Sequence, residues 1–219
     1  KQQAERKAWL LEQGWPALLA SAGAWGYEAV WCPFADFFRR YGGSALLILA
    51  LIACYRVADV VMGVMSNSFY VDMQFSKTEV ATITKVFGVI MTLVGAAFGG
   101  VLVMRFGTLR ILFLGALLTA STNLLFALLH QVGHNLELLT LIISLDNLSA
   151  GIATAAFVTY LSSLTNVAFS ATQYALFSSV MLLLPKLLAG FSGQVVEQIG
   201  YSAFFVGTSL LGLPVLLLI

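Results

Sequence analysis

Residues 44–65 read SALLILALIACYRVADVVMGVM, a run of apolar side chains broken only by Arg56 and Asp59 among the charged types. As a helix this stretch extends about 33 Å at ~1.5 Å per residue, enough to cross a hydrocarbon core of ~30 Å. A helix in a soluble protein shows one apolar stripe and one polar face, whereas this run is apolar on all sides. Five comparable runs follow. The predicted spans lie at about 44–65, 79–103, 109–130, 136–160, 168–192 and 200–219. The connections expected between them are Ser66-Asn67-Ser68, Gly107-Thr108, Gly133-His134-Asn135, Thr165-Asn166 and Gly200, all turn-forming residues. The fold class predicted is an all-α membrane protein, a six-transmembrane-helix bundle.

The composition agrees. Of 219 residues, 60% are hydrophobic and 10% charged, against ~25% charged in soluble domains. The mean hydropathy of +0.94 also excludes a solvated, disordered chain. With 11 Lys+Arg against 10 Asp+Glu there is no basic surplus, so no nucleic-acid partner is expected. Cys32 and Cys54 lie far apart, and no disulfide is expected. The chain begins at Lys1 and ends at Ile219 inside an apolar run, which suggests a piece of a longer protein.

Residues 1–43 differ from the rest. They carry Lys1, Arg6, Lys7, Arg39 and Arg40 together with Trp9, Trp15, Trp25 and Trp31. Tryptophan favours the membrane–water boundary. From Tyr27 to Tyr41, Val30, Trp31, Phe34, Phe37 and Phe38 alternate with Glu28, Asp36, Arg39 and Arg40, the pattern of an amphipathic helix lying along the interface. Before it, Gly14 and Pro16 interrupt any long helix, and the segment reads as a solvated linker. The linker and the turn bearing Arg105 and Arg110 hold most of the cations, whereas the opposite loops hold only Lys77. The positive-inside rule therefore puts the linker and that turn in the cytoplasm, with Asp72, Glu79 and Glu137 outside.

Five ionisable residues fall within the spans: Arg56, Asp59, Lys85, Asp146 and Lys186. Each costs roughly 2.5–3.5 kcal/mol on insertion scales, so such groups face a partner or a water-filled path. Counted from the helix entries, Arg56 and Asp146 come near the bilayer middle and the other three in its outer half. Arg56 and Asp59 share one helix face, and a Lys85–Asp59 pair across adjacent spans is expected. Small residues around Asp146-Asn147, and Gly95 and Gly99 in the second span, predict close helix packing. Pro185 before Lys186 removes a backbone donor and predicts a kink.

Other chemistry lacks its residues. His130, His134 and Glu137 straddle a glycine without a fourth ligand, so no metal site is predicted. No G-x-S-x-G and no P-loop occur, so neither a serine hydrolase, nor a self-contained ATP-driven pump, nor any cofactor is expected.

The run Asp146-Asn147-Leu148-Ser149-Ala150-Gly151-Ile152-Ala153-Thr154-Ala155-Ala156-Phe157-Val158, followed by Phe169-Ser170-Ala171-Thr172-Gln173-Tyr174-Ala175-Leu176, resembles the AmpG family of muropeptide permeases, within the major facilitator superfamily. Tyr55-Arg56-Val57-Ala58-Asp59 and Ala35-Asp36-Phe37-Phe38-Arg39-Arg40 also resemble its central region. So does Gly100–Gly107, a form of the superfamily's basic turn without the acidic residue before Arg105. The resemblance runs from about residue 28 to 219. It implies that the bundle is the C-terminal half of a major facilitator fold, with residues 1–43 as the inter-half linker and an N-terminal six-helix half as partner. It further implies proton-driven import of anhydromuropeptides across the bacterial inner membrane, for peptidoglycan recycling and β-lactamase induction.

On this reading Asp146, Asn147, Gln173 and Tyr174 contact substrate or line its exit, with Thr172 beside them. Arg56, Asp59, Lys85 and Lys186 form a proton-coupling charge network in which Asp59 carries the proton, and Arg105 and Arg110 form the cytoplasmic turn. Two alternatives stay open at this point: a non-transporting membrane sensor or scaffold, and a same-fold transporter of another substrate such as an acyl-CoA.

Overall fold

The computed structural model describes residues 2–27 and 31–219, with side chains from residue 4; Lys1, Glu28 and Val30 of the readings above lie outside the described residues. Among these residues every regular element is helical. Two short helices, α1 (Gln2–Glu12) and α2 (Ala17–Gly26), precede the interfacial helix α3 (Cys32–Tyr41). The described residues before α3 are thus mostly helical. Gly14, at φ 81°, and Pro16 make the break between α1 and α2, which close on each other over Leu10, Ala20 and Ala24. The Arg6 guanidinium lies 4.4 Å from the Trp9 ring centre and 4.6 Å from that of Tyr27, a cation held between two aromatic faces.

Six helices are long and apolar enough to cross a membrane: α4 (Ser44–Asp72), α5 (Lys77–Phe106), α6 (Thr108–Val132), α7 (Leu136–Leu164), α8 (Val167–Ala189) and α9 (Ser192–Leu218). The chain is a multi-pass membrane protein. Ser66-Asn67-Ser68 does not form a connection: it lies in the last turns of α4, where Ser66 turns its hydroxyl back onto the Gly63 carbonyl at 2.7 Å. The reversal instead comes at Met73–Ser76, where Gln74 takes φ 64°. Ser76 and Glu79 then start α5 as a capping box, Ser76 Oγ accepting from the Glu79 N–H and Glu79 Oε2 from the Ser76 N–H. Single glycines at positive φ, Gly107 and Gly133, separate α5 from α6 and end α6. Asn135 caps α7 through the Leu138 N–H at 2.9 Å.

Several spans are locally irregular. Helix α4 is interrupted at Tyr55–Arg56, where Arg56 sits at φ −97°, ψ 2°. Helix α5 holds a π-helical turn over Thr84–Gly88, and α9 is broken at Gly200, φ 77°. Pro185 lies inside α8.

Packing is tightest between α5 and α7. A Cβ on Gly95 would lie 2.2 Å from the Leu148 carbonyl oxygen, and one on Gly151 2.5 Å from that of Thr92. Gly99 meets the Ile152 Cα in the same way, at 2.8 Å. The two backbones touch, as small-residue faces allow in membranes.

The buried apolar residues form two cores. One, toward α3, holds Phe37, Ile52, Tyr55, Leu112, Phe157 and Phe177. The other, toward the α4–α5 turn, holds Val57, Phe69, Phe126, Ile143, Phe204 and Phe205. The boundary between them falls in α4 between Tyr55 and Val57, in α6 between Ala116 and Phe126, and in α7 between Ile143 and Ile152. Arg56 of α4, Thr122 and Asn123 of α6, and Asp146 and Asn147 of α7 lie in that gap.

Candidate functional site

Arg56 stands at the interruption of α4, the first residue before the helix resumes, and reaches one turn forward to Asp59: Nη2 to Oδ2 is 2.8 Å. Its Nη1 donates to Thr154 Oγ1 on α7 at 2.9 Å. On α6, Thr122, buried, donates from Oγ1 to Asp146 Oδ1 at 3.0 Å. Asp146 lies close enough to both Asp59 and Arg56 to feel their charges. Three helices thus bring two carboxylates, one guanidinium and two threonine hydroxyls into the gap between the apolar cores. A fourth polar group joins them: Asn123, fully buried, whose Nδ2 lies 3.4 Å from the Ala58 carbonyl. Charge in an apolar surround demands a partner, and here the cation pairs with Asp59 and reaches α7 through Thr154.

The expected network is only partly formed. Among the described residues the ion pairs are Arg56–Asp59 and Arg40–Asp36, so Lys85 makes no pair with Asp59. Lys85 instead lies exposed on the π-helical turn of α5, and Lys186, just past the buried Pro185, is exposed on α8. The acid brought to Arg56 and Asp59 is Asp146. Sequence spacing could not indicate this, because α4 and α7 are not consecutive in the chain.

Asp146 and Asn147 diverge. Asp146 faces Thr122 of α6, whereas Asn147 faces α5: its Oδ1 accepts from Thr92 Oγ1 at 3.0 Å and its Nδ2 donates to the Ile143 carbonyl at 2.8 Å. Asn147 also lies against Gly88, the last residue of the π-helical turn. Half of its hydrogen-bonding capacity is thus spent, one bond to α5 and one back onto its own helix.

Gln173 sits elsewhere again. It is 2% exposed and belongs to a polar clamp between α3 and the α7–α8 turn. Its Nε2 donates to the Pro33 carbonyl at 2.9 Å and to Asp36 Oδ2 at 3.1 Å; its Oε1 accepts from the Asn166 N–H at 2.7 Å and from Arg40 at 3.2 Å. Arg40 adds a bond to Asp36 at 2.9 Å and one to the Leu164 carbonyl at 3.0 Å, and Asn166 Nδ2 donates to Asp36 at 3.2 Å. Burial acts to raise the Asp36 carboxyl. The bonds from Asn166 and Gln173 and the charge of Arg40 outweigh it and hold the group below its ordinary 3.8. Phe37 anchors the apolar side of α3 on Phe177, ring centres 5.1 Å apart. Tyr174 and Thr172 are half-buried nearby, while Arg105 and Arg110 are exposed at the ends of α5 and α6.

His130 and His134 part company: His130 Nδ1 lies 2.8 Å from Ser202 Oγ, and His134 stacks on Phe75 at 4.4 Å. Among the described residues no group of three potential metal ligands assembles.

Sequence reading missed Thr92, Thr122 and Thr154, the hydroxyls that carry the inter-helix bonds. Threonine is common in membrane helices; Thr92 and Thr122 stand in no motif read above, and Thr154, within the Asp146–Val158 run, was given no role of its own.

No protein-family profile matches the sequence. Three curated relatives do. AmpG 4 of Rickettsia felis is 33% identical over 201 residues, 92% of this chain and 48% of its own length. The anhydromuropeptide permease of Escherichia coli K12 is 33% identical over 193 residues, 88% of this chain and 39% of its own. AmpG 1 of Rickettsia felis is 30% identical over 174 residues, 80% and 40% respectively. The chain spans about half or less of the length of these relatives.

Proposed function

We propose that this chain, a relative of the AmpG-type permeases, is the C-terminal six-helix half of a transporter that imports anhydromuropeptides across the bacterial inner membrane, driven by the proton gradient. Its partner is an N-terminal half of the same protein, with residues 1–43 as the cytoplasmic connection. The observation that carries the reading is the polar gap: Arg56, Asp59 and Asp146 drawn together from α4 and α7, at the junction of two apolar cores. A purely structural bundle gains little by placing an ion pair and a second acid at mid-span, since an apolar replacement is often as stable. A transporter that loads and releases a proton has a use for such acids.

In this reading Asp59, held by Arg56, carries the proton, and Asp146 meets the sugar or peptide as it passes between the halves. Thr122 ties Asp146 to α6, and Thr154 ties Arg56, the partner of Asp59, to α7, so that a change at either acid reaches a second span. Gln173 belongs to the clamp on α3, and its part is to hold the closed arrangement at the α3 end rather than to touch substrate. Peptidoglycan recycling follows from the substrate.

The test is uptake of a radiolabelled GlcNAc-anhydroMurNAc tripeptide by inner-membrane vesicles containing the full-length parent protein. Saturable uptake that collapses with a protonophore is expected. Uptake indistinguishable from vesicles lacking the protein would refute the proposal.

A further inference from the structure

The α4–α5 hairpin encloses a groove of about 430 Å³ at the end of the bundle opposite α3. Its polar lining is Asn67 and Tyr70 from α4 with Lys77, Thr84 and Lys85 from α5; Phe75 closes one end. Both lysines are exposed, and among the described residues neither has an ion pair. The acids nearby are engaged elsewhere. Glu79 accepts from the Ser76 N–H in the capping box at 2.8 Å, and Asp72 accepts the Tyr201 hydroxyl at 2.6 Å. Among the described residues two cations therefore line one cavity without an ion pair.

A lysine at the mouth of a membrane helix is ordinarily explained by snorkelling to the headgroups. That account serves Lys77, the first residue of α5. Lys85 lies eight residues on, about 12 Å further along the helix at ~1.5 Å per residue, and lines the same groove as Lys77. The π-helical turn Thr84–Gly88 begins at that level, and such turns recur where a side chain is re-aimed for function. With Tyr70 and Phe75 as apolar wall and Asn67 as donor, the groove combines apolar surface with a few convergent polar groups, as small-molecule sites do.

We infer that this groove is a carboxylate-binding subsite, in which Lys77 and Lys85 receive the free carboxylates of a substrate's peptide before it reaches the Arg56–Asp59–Asp146 gap. Lys77 stands at the entrance and Lys85 two turns further in, an arrangement that draws an anionic group inward. The identity of the carboxylate donor as a muropeptide rests on the function proposed above, while the anion site rests on the groove itself. Lys85 is then a binding residue and not a member of the charge network.

The experiment measures binding to the purified full-length parent in nanodiscs of zwitterionic lipid, using the anhydromuropeptide with free carboxyls and the same molecule with every carboxyl amidated. The wild type is expected to bind the acid form at least tenfold more tightly. Lys77→Gln/Lys85→Gln should lose that preference by weakening the acid form alone, and Lys77→Arg/Lys85→Arg should restore it. Equal weakening of both forms, or no preference in the wild type, would overturn the inference. If the wild type binds neither form, the muropeptide reading fails and citrate becomes the probe. Saturable citrate binding that the Gln variant loses would uphold the anion site, and its absence would overturn it.

Discussion

Thr122 has a single hydroxyl proton and two acceptors at 3.0 Å, Asp146 Oδ1 and the Thr119 carbonyl. It bonds an ionised Asp146 by donating to it, and can accept from a protonated one while donating to Thr119. Either protonation state of Asp146 is therefore accommodated without moving a helix. Asp146→Asn keeps the shape and an acceptor oxygen but removes the charge. The expected outcome is a several-fold rise in the muropeptide concentration for half-maximal uptake, with unchanged dependence on external pH. Loss of gradient-driven accumulation with exchange intact would instead make Asp146 the proton carrier. For Asp59→Asn, Arg56 is left without its paired carboxylate, a change that commonly costs about 3–5 kcal/mol for a buried pair and less for these partly exposed side chains. Uptake should be lost, and Arg56→Gln in the same protein should recover the thermal midpoint. A double variant no more stable than Asp59→Asn would break the link between them.

Helices α5 and α7 give the sharpest contrast in their glycines. A methyl at Gly95 meets the Leu148 carbonyl, so Gly95→Ala must push the helices apart, at a cost of about 2–3 kcal/mol by analogy with overpacked cores. Gly100, five residues along the same helix, has nothing within 4 Å of an added Cβ, and Gly100→Ala should raise stability by up to about 1 kcal/mol through helix propensity. Thermal unfolding of the two variants in one detergent checks both signs. Helix α3 offers a pH test. Asp36 titrates below its ordinary value, so its bonds stabilise docking fully above that ordinary value, and this contribution disappears as pH falls through the folded one. Amide protection over residues 32–41, exchange compared with the unstructured rate at the same pH, should be high at neutral pH and fall below about pH 4. Asp36→Asn should be weakly protected already at neutral pH; equal protection in that variant would remove Asp36 from the clamp.

The six-span bundle was legible because apolar length is a one-dimensional signal: 44–65 announces a span whatever surrounds it. The glycine faces of α5 and α7 were legible too, since Gly95, Gly99 and Gly151 have few other uses in a membrane helix. Contacts between non-consecutive helices were not. Lys85 and Asp59 stand at matching depths on neighbouring spans, yet depth does not fix which way a helix is turned, and the π-helical turn at Thr84–Gly88 lies at the same place as the lysine. Gln173 was recognisable as a specific residue but not as a clamp, because its partners lie more than 130 positions away. Taken as a unit, residues 1–219 supply one bundle where alternating access needs two. Reconstituted alone, they should bind to liposomes and accumulate no muropeptide; saturable, gradient-driven uptake by the isolated chain would contradict this. Co-expression with the parent's remaining residues should restore it.

The clamp also determines where force travels. A pull on the segment ahead of α3 has a second route beside the chain into α4, which begins only three residues beyond α3. Asp36, Arg40 and Gln173 lead it sideways into the α7–α8 turn, and α7 is the helix that carries Asp146. The segment ahead of α3 is thereby coupled to the span that holds the central acid, since Arg40 grips the Leu164 carbonyl at the end of the same helix as Asp146.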